Sequence, residues 1–502
     1  MKKLGLKIKT AAVLLILPAF ILPVHATEEQ GRSYTYDNWG KSIPAPDSYI
    51  VQTVITGENC GTTSFNEPQD VFTDRDNNIY IADTGNNRIV VLDKQYSFTR
   101  EITEISNAPD EVNTFNSPTG VFVSSDGHIF VCDTGNFRVV KLDKEGKCVQ
   151  TFVKPDTGIM GESVEFRPTK VAENSTTGDV YVVASGVYMG LVCFNGRGEF
   201  QRFFGGNKVE LTANVLMQLF FKKLFTKEQS EAFVRILPNE YSNLCIDADN
   251  FVYAVASTSQ TSTDQLKKLN ALGENVVQYE TAGKYYPENQ FGDLEKSYQM
   301  GTSIDNQFVD VDVSGDGTVA MLDSNLGHVF VYTQNSELLF IFGDKNDFSG
   351  SFGHPSAIAS DRGNYLVLDS DKASLFVFKP TPYASMLVKA LSYHKSGQYV
   401  ESIDAWKNIL KYNSNCFLAY RNIGKALLEQ GEYSKAMTYF KEGNDKTGYS
   451  EAFKEYRSEF VRRYLVFLVV GVVAAFYIIR LLLRRFKKWL GYEVKHQKIR
   501  YR

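Results

Sequence analysis

The sequence predicts a mainly β chain: a six-bladed β-propeller, then an α-helical segment and one transmembrane helix. Three observations carry that expectation. A unit of short apolar runs and turn formers recurs six times, the hydrophobic period changes from 2 to 3.6 after Pro382, and a long apolar stretch stands near the C-terminus. The composition allows folded domains throughout, with 43% hydrophobic and 22% charged residues among 502. The 35 Phe and 28 Tyr favour β-structure.

The ends define a compartment. Residues 1–26 read as a secretory signal: Lys2, Lys3, Lys7 and Lys9 precede an apolar run from Ala11 to Val24, and Val24-His25-Ala26 offers a cleavage site. Residues 27–47 form an N-terminal segment. Residues 464–483 read as the membrane helix, in which Leu465 to Leu483 is almost wholly apolar and spans about 28 Å at 1.5 Å per residue. Residues 484–502 are a basic tail whose eight Lys and Arg place it in the cytoplasm by the positive-inside rule. The chain between these ends holds 41 basic and 57 acidic residues, a net of about −16, which argues against a nucleic-acid partner. The expected arrangement is a single-pass cell-membrane protein with its bulk outside. Six irregularly spaced cysteines, mostly in strand-like runs, read as buried thiols.

The repeat occupies residues 48–380. FNEPQDVFTDRDNNIYIADTGNNRIVVLD at 65–93 returns without a gap as FNSPTGVFVSSDGHIFVCDTGNFRVVKLD at 115–143. Weaker copies lie at 166–194, 244–270, 309–332 and 352–378. Each alternates apolar runs with Asp/Asn/Gly turns, the grammar of four antiparallel strands, and radial repetition of such units makes a propeller. The last unit lacks its fourth strand because Pro380 and Pro382 follow Phe378, and residues 49–56 precede the first unit without a partner; that strand is expected to close the ring.

The units resemble NHL repeats, through F-x-x-P, an apolar run before D-G or D-N, and D-T-G-N-x-R. The resemblance is strong in the first two units and degraded in the middle ones, where Ala184 and Ala256 replace the loop Asp. It implies a six-bladed propeller but no single activity, since relatives include scaffolds, lyases and lactonase-like enzymes. An insertion at about 207–238 has helical spacing, either packing on the propeller or docking a partner.

At 383–463 a 34-residue repetition appears: Gly397-Gln398-Tyr399 returns as Gly431-Glu432-Tyr433, and Ala390 aligns with Gly424. This resembles tetratricopeptide repeats, which implies helix–turn–helix units serving as a spacer or a peptide groove.

Candidate site residues come from register. Glu67, Ser117, Arg167, Glu240, Gln307 and His354 fall at equivalent places before the innermost strands and form a polar ring at the channel mouth, a candidate ligand site. Asp83, Asp133, Asp323 and Asp369 read as loop-ordering acceptors rather than bases. The propeller offers His128, His328 and His354 alone, and no catalytic residue, metal site or cofactor motif is assigned. Asp74-Arg75-Asp76-Asn77 and Asp247-Ala248-Asp249-Asn250 approach a calcium loop but lack the distal Glu.

Two functions compete. One is a membrane-anchored extracytoplasmic scaffold that binds protein or carbohydrate. As a whole the chain resembles bacterial signal–NHL–tetratricopeptide–anchor proteins, often found beside sugar-type ABC transporters, which implies a transporter component as partner. The other is a tethered metal-dependent hydrolase or lyase of the lactonase-like kind.

Overall fold

The computed structural model describes residues 33–500 except 38, 110, 157–159, 161–164, 208–238, 257–264, 278–290, 296, 300–301 and 346–350. The expected signal peptide and the 207–238 insertion therefore lie outside the described residues, apart from Asn207.

Six antiparallel sheets form the propeller. Blade 1 comprises Asp70–Thr73, Ile79–Asp83, Arg88–Leu92 and Phe98–Ile102; blade 2 comprises Pro118–Val123, Ile129–Asp133, Arg138–Leu142 and Cys148–Phe152. Blade 3 has Arg167–Glu173, Val180–Ser185, Leu191–Phe194 and Phe200–Phe204. Blade 4 shows three strands among the described residues, Tyr241–Ile246, Val252–Ala256 and Leu266–Leu269. Blade 5 has Phe308–Val313, Val319–Asp323, Val329–Tyr332 and Leu338–Phe342.

Blade 6 is Pro355–Asp361, Asn364–Asp369 and Ser374–Pro380, completed by Tyr49–Thr56, which pairs antiparallel with Ser374–Pro380. The sheet is thus built from both ends of the propeller sequence, as the missing fourth strand foretold. Thr56 and Asn59 then cap a short helical turn in a reciprocal box that leads into blade 1.

The strand period of 2 explains how the ring coheres. Ile79 and Ile81 pack with Leu366 and Leu368 of blade 6, whereas Tyr80 and Ala82 pack with Val121 and Val131 of blade 2. The remaining junctions hold corresponding apolar clusters. Each blade therefore shares its core with two neighbours, so closing the ring adds to its stability.

After Thr381, whose hydroxyl caps the helix Pro382–Lys395, come helices Tyr399–Tyr412, Phe417–Glu429 and Tyr433–Glu442, then one continuous helix, Lys446–Arg500. The second member of each helix pair starts 34 residues after its counterpart, at 399 and 433. Gly424 is required here: a Cβ at that position would stand 2.7 Å from the Phe440 ring. The helices share a core with blades 5 and 6 through Tyr383, Leu387 and Trp406 against Tyr49, Phe340 and Phe378, and Lys425 pairs with Glu337 of the propeller at 2.8 Å. Within the last helix, 446–491 is long and apolar enough to cross a membrane. Helical spacing at Glu451 to Arg463 reads as a third helix running into the span, and the two are indeed one helix, because nothing between them breaks the backbone hydrogen-bond ladder.

All six cysteines are free thiols, with Cys245 half-buried and the others buried.

The closure has a measurable consequence. Deleting residues 49–56 should lower the propeller's melting temperature by several degrees, because it opens the edge of blade 6 and uncovers the cluster around Ile55. An unchanged thermal melt would show that the strand does not close the ring.

Candidate functional site

The D-T-G-N-x-R loops position the mouth. In blade 2 the Asp133 carboxylate accepts from the Asn116 amide at 2.7 Å, the Asn136 side chain at 2.9 Å and Arg138 Nε at 2.9 Å. Asp83 makes the same three bonds in blade 1, to Asn66, Asn86 and Arg88 at 2.7, 2.9 and 2.7 Å. Asp323 holds the Gln307 amide at 2.9 Å, and Asp369 holds the amides of Gly353 and His354 at 2.6 and 3.1 Å. All four carboxylates are fully buried and engaged by donors, an arrangement that suits fixing a loop. Each one ties down the segment that carries a ring residue.

The ring residues lie at equivalent places, three residues before the inner-strand position occupied by Asp70, Gly120, Lys170, Asn243, Asp310 and Ala357. Glu67, Ser117, Arg167 and His354 are exposed, and Glu240 and Gln307 are half-buried. No hydrogen bond among the described residues joins one of them to another. Instead the loop of one blade reaches the ring residue of the next: Asn87 Oδ1 accepts from the Ser117 amide at 2.7 Å, the Phe137 ring lies under the Arg167 guanidinium at 5.4 Å, and Tyr188 hydrogen-bonds Glu240, whose charge raises the Tyr188 pKa. Arg167 also donates through Nε and Nη2 to Glu165 Oε2, at 2.9 and 2.7 Å.

Below the mouth lies a charged layer that sequence reasoning missed. Lys170 Nζ meets Asp70 Oδ1 at 2.5 Å, both buried. Lys170 stands on blade 3 and Asp70 on blade 1, so the pair bridges across blade 2, where Gly120 occupies the equivalent position. A Cβ there would come within 2.4 Å of the Thr169 carbonyl. Asp310 joins from blade 5. The carboxylates also accept from the inner edge of the next blade: Asp70 from Val121 N at 2.8 Å, Asp310 from Ile358 N at 2.6 Å and Asp312 from Ser360 N at 2.7 Å. Burial pushes Asp310 up to about 8, and burial likewise raises Asp312. Burial disfavours the Lys170 charge, but Asp70 and Asp310 more than compensate and raise its pKa. One register column of the repeat, reading Asp, Gly, Lys, Asn, Asp, Ala, was the available signal.

A second polar cluster, also unforeseen, clasps the N-terminal hairpin of Tyr34–Tyr36 and Ser42–Pro44 to the propeller beside blade 5. Tyr34 and Tyr36 both donate to Asp293 Oδ1, the latter at 2.7 Å, and His328 Nδ1 lies 3.0 Å from Asp293 Oδ2. Burial opposes charge on both Asp293 and His328, yet their contact lowers the first and raises the second.

The near-calcium loops are Asx turns: Asp74 Oδ1 accepts from Asp76 and Asn78 amides at 2.9 and 2.8 Å, and Asp247 Oδ1 from Asp249 and Phe251 amides at 3.0 and 2.9 Å. Among the described residues no three His, Cys, Asp or Glu side chains are grouped to hold a metal ion. Glu67, Glu240 and His354 form no such group among the described residues, so they do not supply the metal site that a lactonase-like chemistry implies.

Comparison with known proteins agrees with the repeat. The NHL repeat profile matches residues 65–92 and 115–142, so the chain carries NHL repeats in blades 1 and 2. No curated protein matches. Among solved structures, a streptogramin B lyase is similar at 12% identity over 69% of this chain and 86% of its own, with a TM-score of 0.37. A virginiamycin B lyase from Staphylococcus aureus gives 12% identity, 66% and 88% coverage and a TM-score of 0.35. The extracellular domain of a hybrid two-component system from B. thetaiotaomicron gives 12% identity, 62% and 33% coverage and a TM-score of 0.34. Likeness at this level carries nothing about activity.

Two substitutions test the charged layer. Lys170→Met should destabilise by about 3–5 kcal/mol, because it leaves Asp70 buried without its cation, and adding Asp70→Asn should recover most of the loss in denaturant titrations. Asp310 carries a raised folded pKa against an unfolded value of about 3.9. Its contribution is therefore full below about pH 4 and is lost as pH rises toward 8. Asp310→Asn should flatten that decline in melting temperature between pH 5 and 8, and an unaltered slope would show that Asp310 is not its source.

Proposed function

We propose that the protein is a membrane-anchored extracytoplasmic binding protein whose propeller mouth meets a protein or carbohydrate ligand, and whose helical repeats, read as tetratricopeptide-like, set the propeller on its membrane helix and offer a second surface to a partner such as a transporter component. The observation that carries this reading is the mouth itself. Its six equivalent residues come from six blades, buried Asp carboxylates hold the backbone beside four of them, and at blades 2 to 4 the preceding blade contacts the Ser117 amide and the Arg167 and Glu240 side chains. Under them the buried Asp70–Lys170 pair joins blades 1 and 3, which favours a ligand lying across the mouth. A spread of Glu, Arg, Gln and His suits many hydrogen bonds to one broad ligand better than bond breaking at one point.

Replacing Glu67, Arg167 and His354 together by Ala should weaken ligand capture at least tenfold while leaving the melting temperature nearly unchanged, since Glu67, Arg167 and His354 are exposed. If the purified protein instead hydrolyses lactones with a stoichiometric divalent metal, and Glu67→Ala removes both, the binding reading fails. Topology has its own test: external protease on intact cells should digest the propeller and spare the tail after Leu483, and the reverse pattern would invert the orientation.

A further inference from the structure

Phe137 is out of place by the rules that govern its blade. It follows the D-T-G-N loop of blade 2 exactly where Asn87 follows that of blade 1, and both are left-handed, at φ 57° and 54°. Asn adopts that conformation several-fold more readily than an aromatic residue, for which it is strained. Asn87 also uses its side chain, binding the Ser117 amide of the next blade. Phe137 can make no such bond, and it leaves 40% of its surface exposed. Blade 2 thus accepts strain and an exposed ring where blade 1 shows the better-folding alternative. Strain kept at an exposed position points to use.

What surrounds the ring gives the use a chemistry. Phe166 is buried, so its neighbours Glu165 and Arg167 are both anchored at the surface. Arg167 lies over one side of the Phe137 ring, and its Nε and Nη2 bind Glu165 Oε2. Arg167 Nη1 and Glu165 Oε1 have no other partner among the described residues. A guanidinium donor and a carboxylate acceptor of one ion pair are therefore left for a ligand beside an exposed aromatic ring. Glu165 neutralises Arg167, so an anionic ligand gains little there. A neutral ligand with vicinal hydroxyls and an apolar C–H face gains on both counts: one hydroxyl accepts from the guanidinium, its neighbour donates to the carboxylate, and the C–H face covers the ring. The pair is already ordered by its own hydrogen bonds, which lowers the entropy lost on binding.

We propose that Phe137, Arg167 and Glu165 form a subsite for a neutral pyranose at the junction of blades 2 and 3. This rests on the binding reading of the mouth and narrows it. The test uses the full chain in detergent, titrated calorimetrically with maltose, cellobiose, mannobiose and chitobiose, and with a poly-glutamate peptide as the anionic comparison. At least one sugar should bind saturably, and Phe137→Asn and Glu165→Gln should each weaken it tenfold or more. Phe137→Asn should at the same time raise the melting temperature by roughly 1–2 °C, because Asn suits the left-handed backbone. A merely structural Phe137 would give the opposite sign. The proposal is overturned if none of the sugars binds, if the peptide binds in their place, or if Phe137→Asn leaves sugar binding intact. Sugar binding that survives Phe137→Asn but is lost with Glu67→Ala and His354→Ala would remove the subsite and leave the mouth reading standing.

Discussion

The innermost strand of every blade has an edge with no strand beside it, and the molecule is organised around satisfying that edge. Unpaired N–H and C=O groups facing a narrow channel are expensive to bury. This chain answers with side chains from the preceding blade. Asp70, Asp310 and Asp312 accept the N–H groups of Val121, Ile358 and Ser360. The hydroxyls of Thr119, Ser242 and Ser356 donate to the carbonyls of Thr169, Phe308 and Pro68. Several of these hydroxyls sit where the inner strand bulges, which frees the residue from its own sheet. The same carboxylates then need a cation, and Lys170 supplies it.

That solution shapes the mouth as well. With the inner layer committed to holding blades together, variation is pushed outward to the loops, where a residue touches only one neighbour. Blades 1 and 2 keep the full Asp-centred loop. Blade 3 replaces the Asp with Ala184 and turns through Gly186 instead, and its loop presents Tyr188 and the exposed Met189. The mouth is therefore irregular in chemistry, with Phe137 presented by blade 2 and Tyr188 by blade 3.

Much of this was legible in the sequence, for physical reasons. Turn formers and period-2 runs are local, so the six units and the closing role of 49–56 could be counted. The equivalence of Glu67, Ser117, Arg167, Glu240, Gln307 and His354 also follows from register alone. Two features were hidden. Lys170 and Asp70 are 100 residues apart and meet only because the ring closes, so neither reads as paired from its own unit. The clasp of Tyr34 and Tyr36 on Asp293 and His328 joins segments some 290 residues apart. Phe137 was hidden differently: its letter is ordinary, and only its left-handed backbone marks it.

The unbroken helix Lys446–Arg500 has a consequence of another kind. A helix turns about 100° per residue, so a continuous one transmits rotation as well as distance. The preceding helices pack on the start of this helix, its later part is long and apolar enough to cross a membrane, and Gly448 lies against the Phe440 ring at that junction. The azimuth of the propeller is then phased to the side chains of the apolar segment. One residue inserted between 454 and 460 would leave every fold in the chain intact, yet swing the mouth by more than a quarter turn.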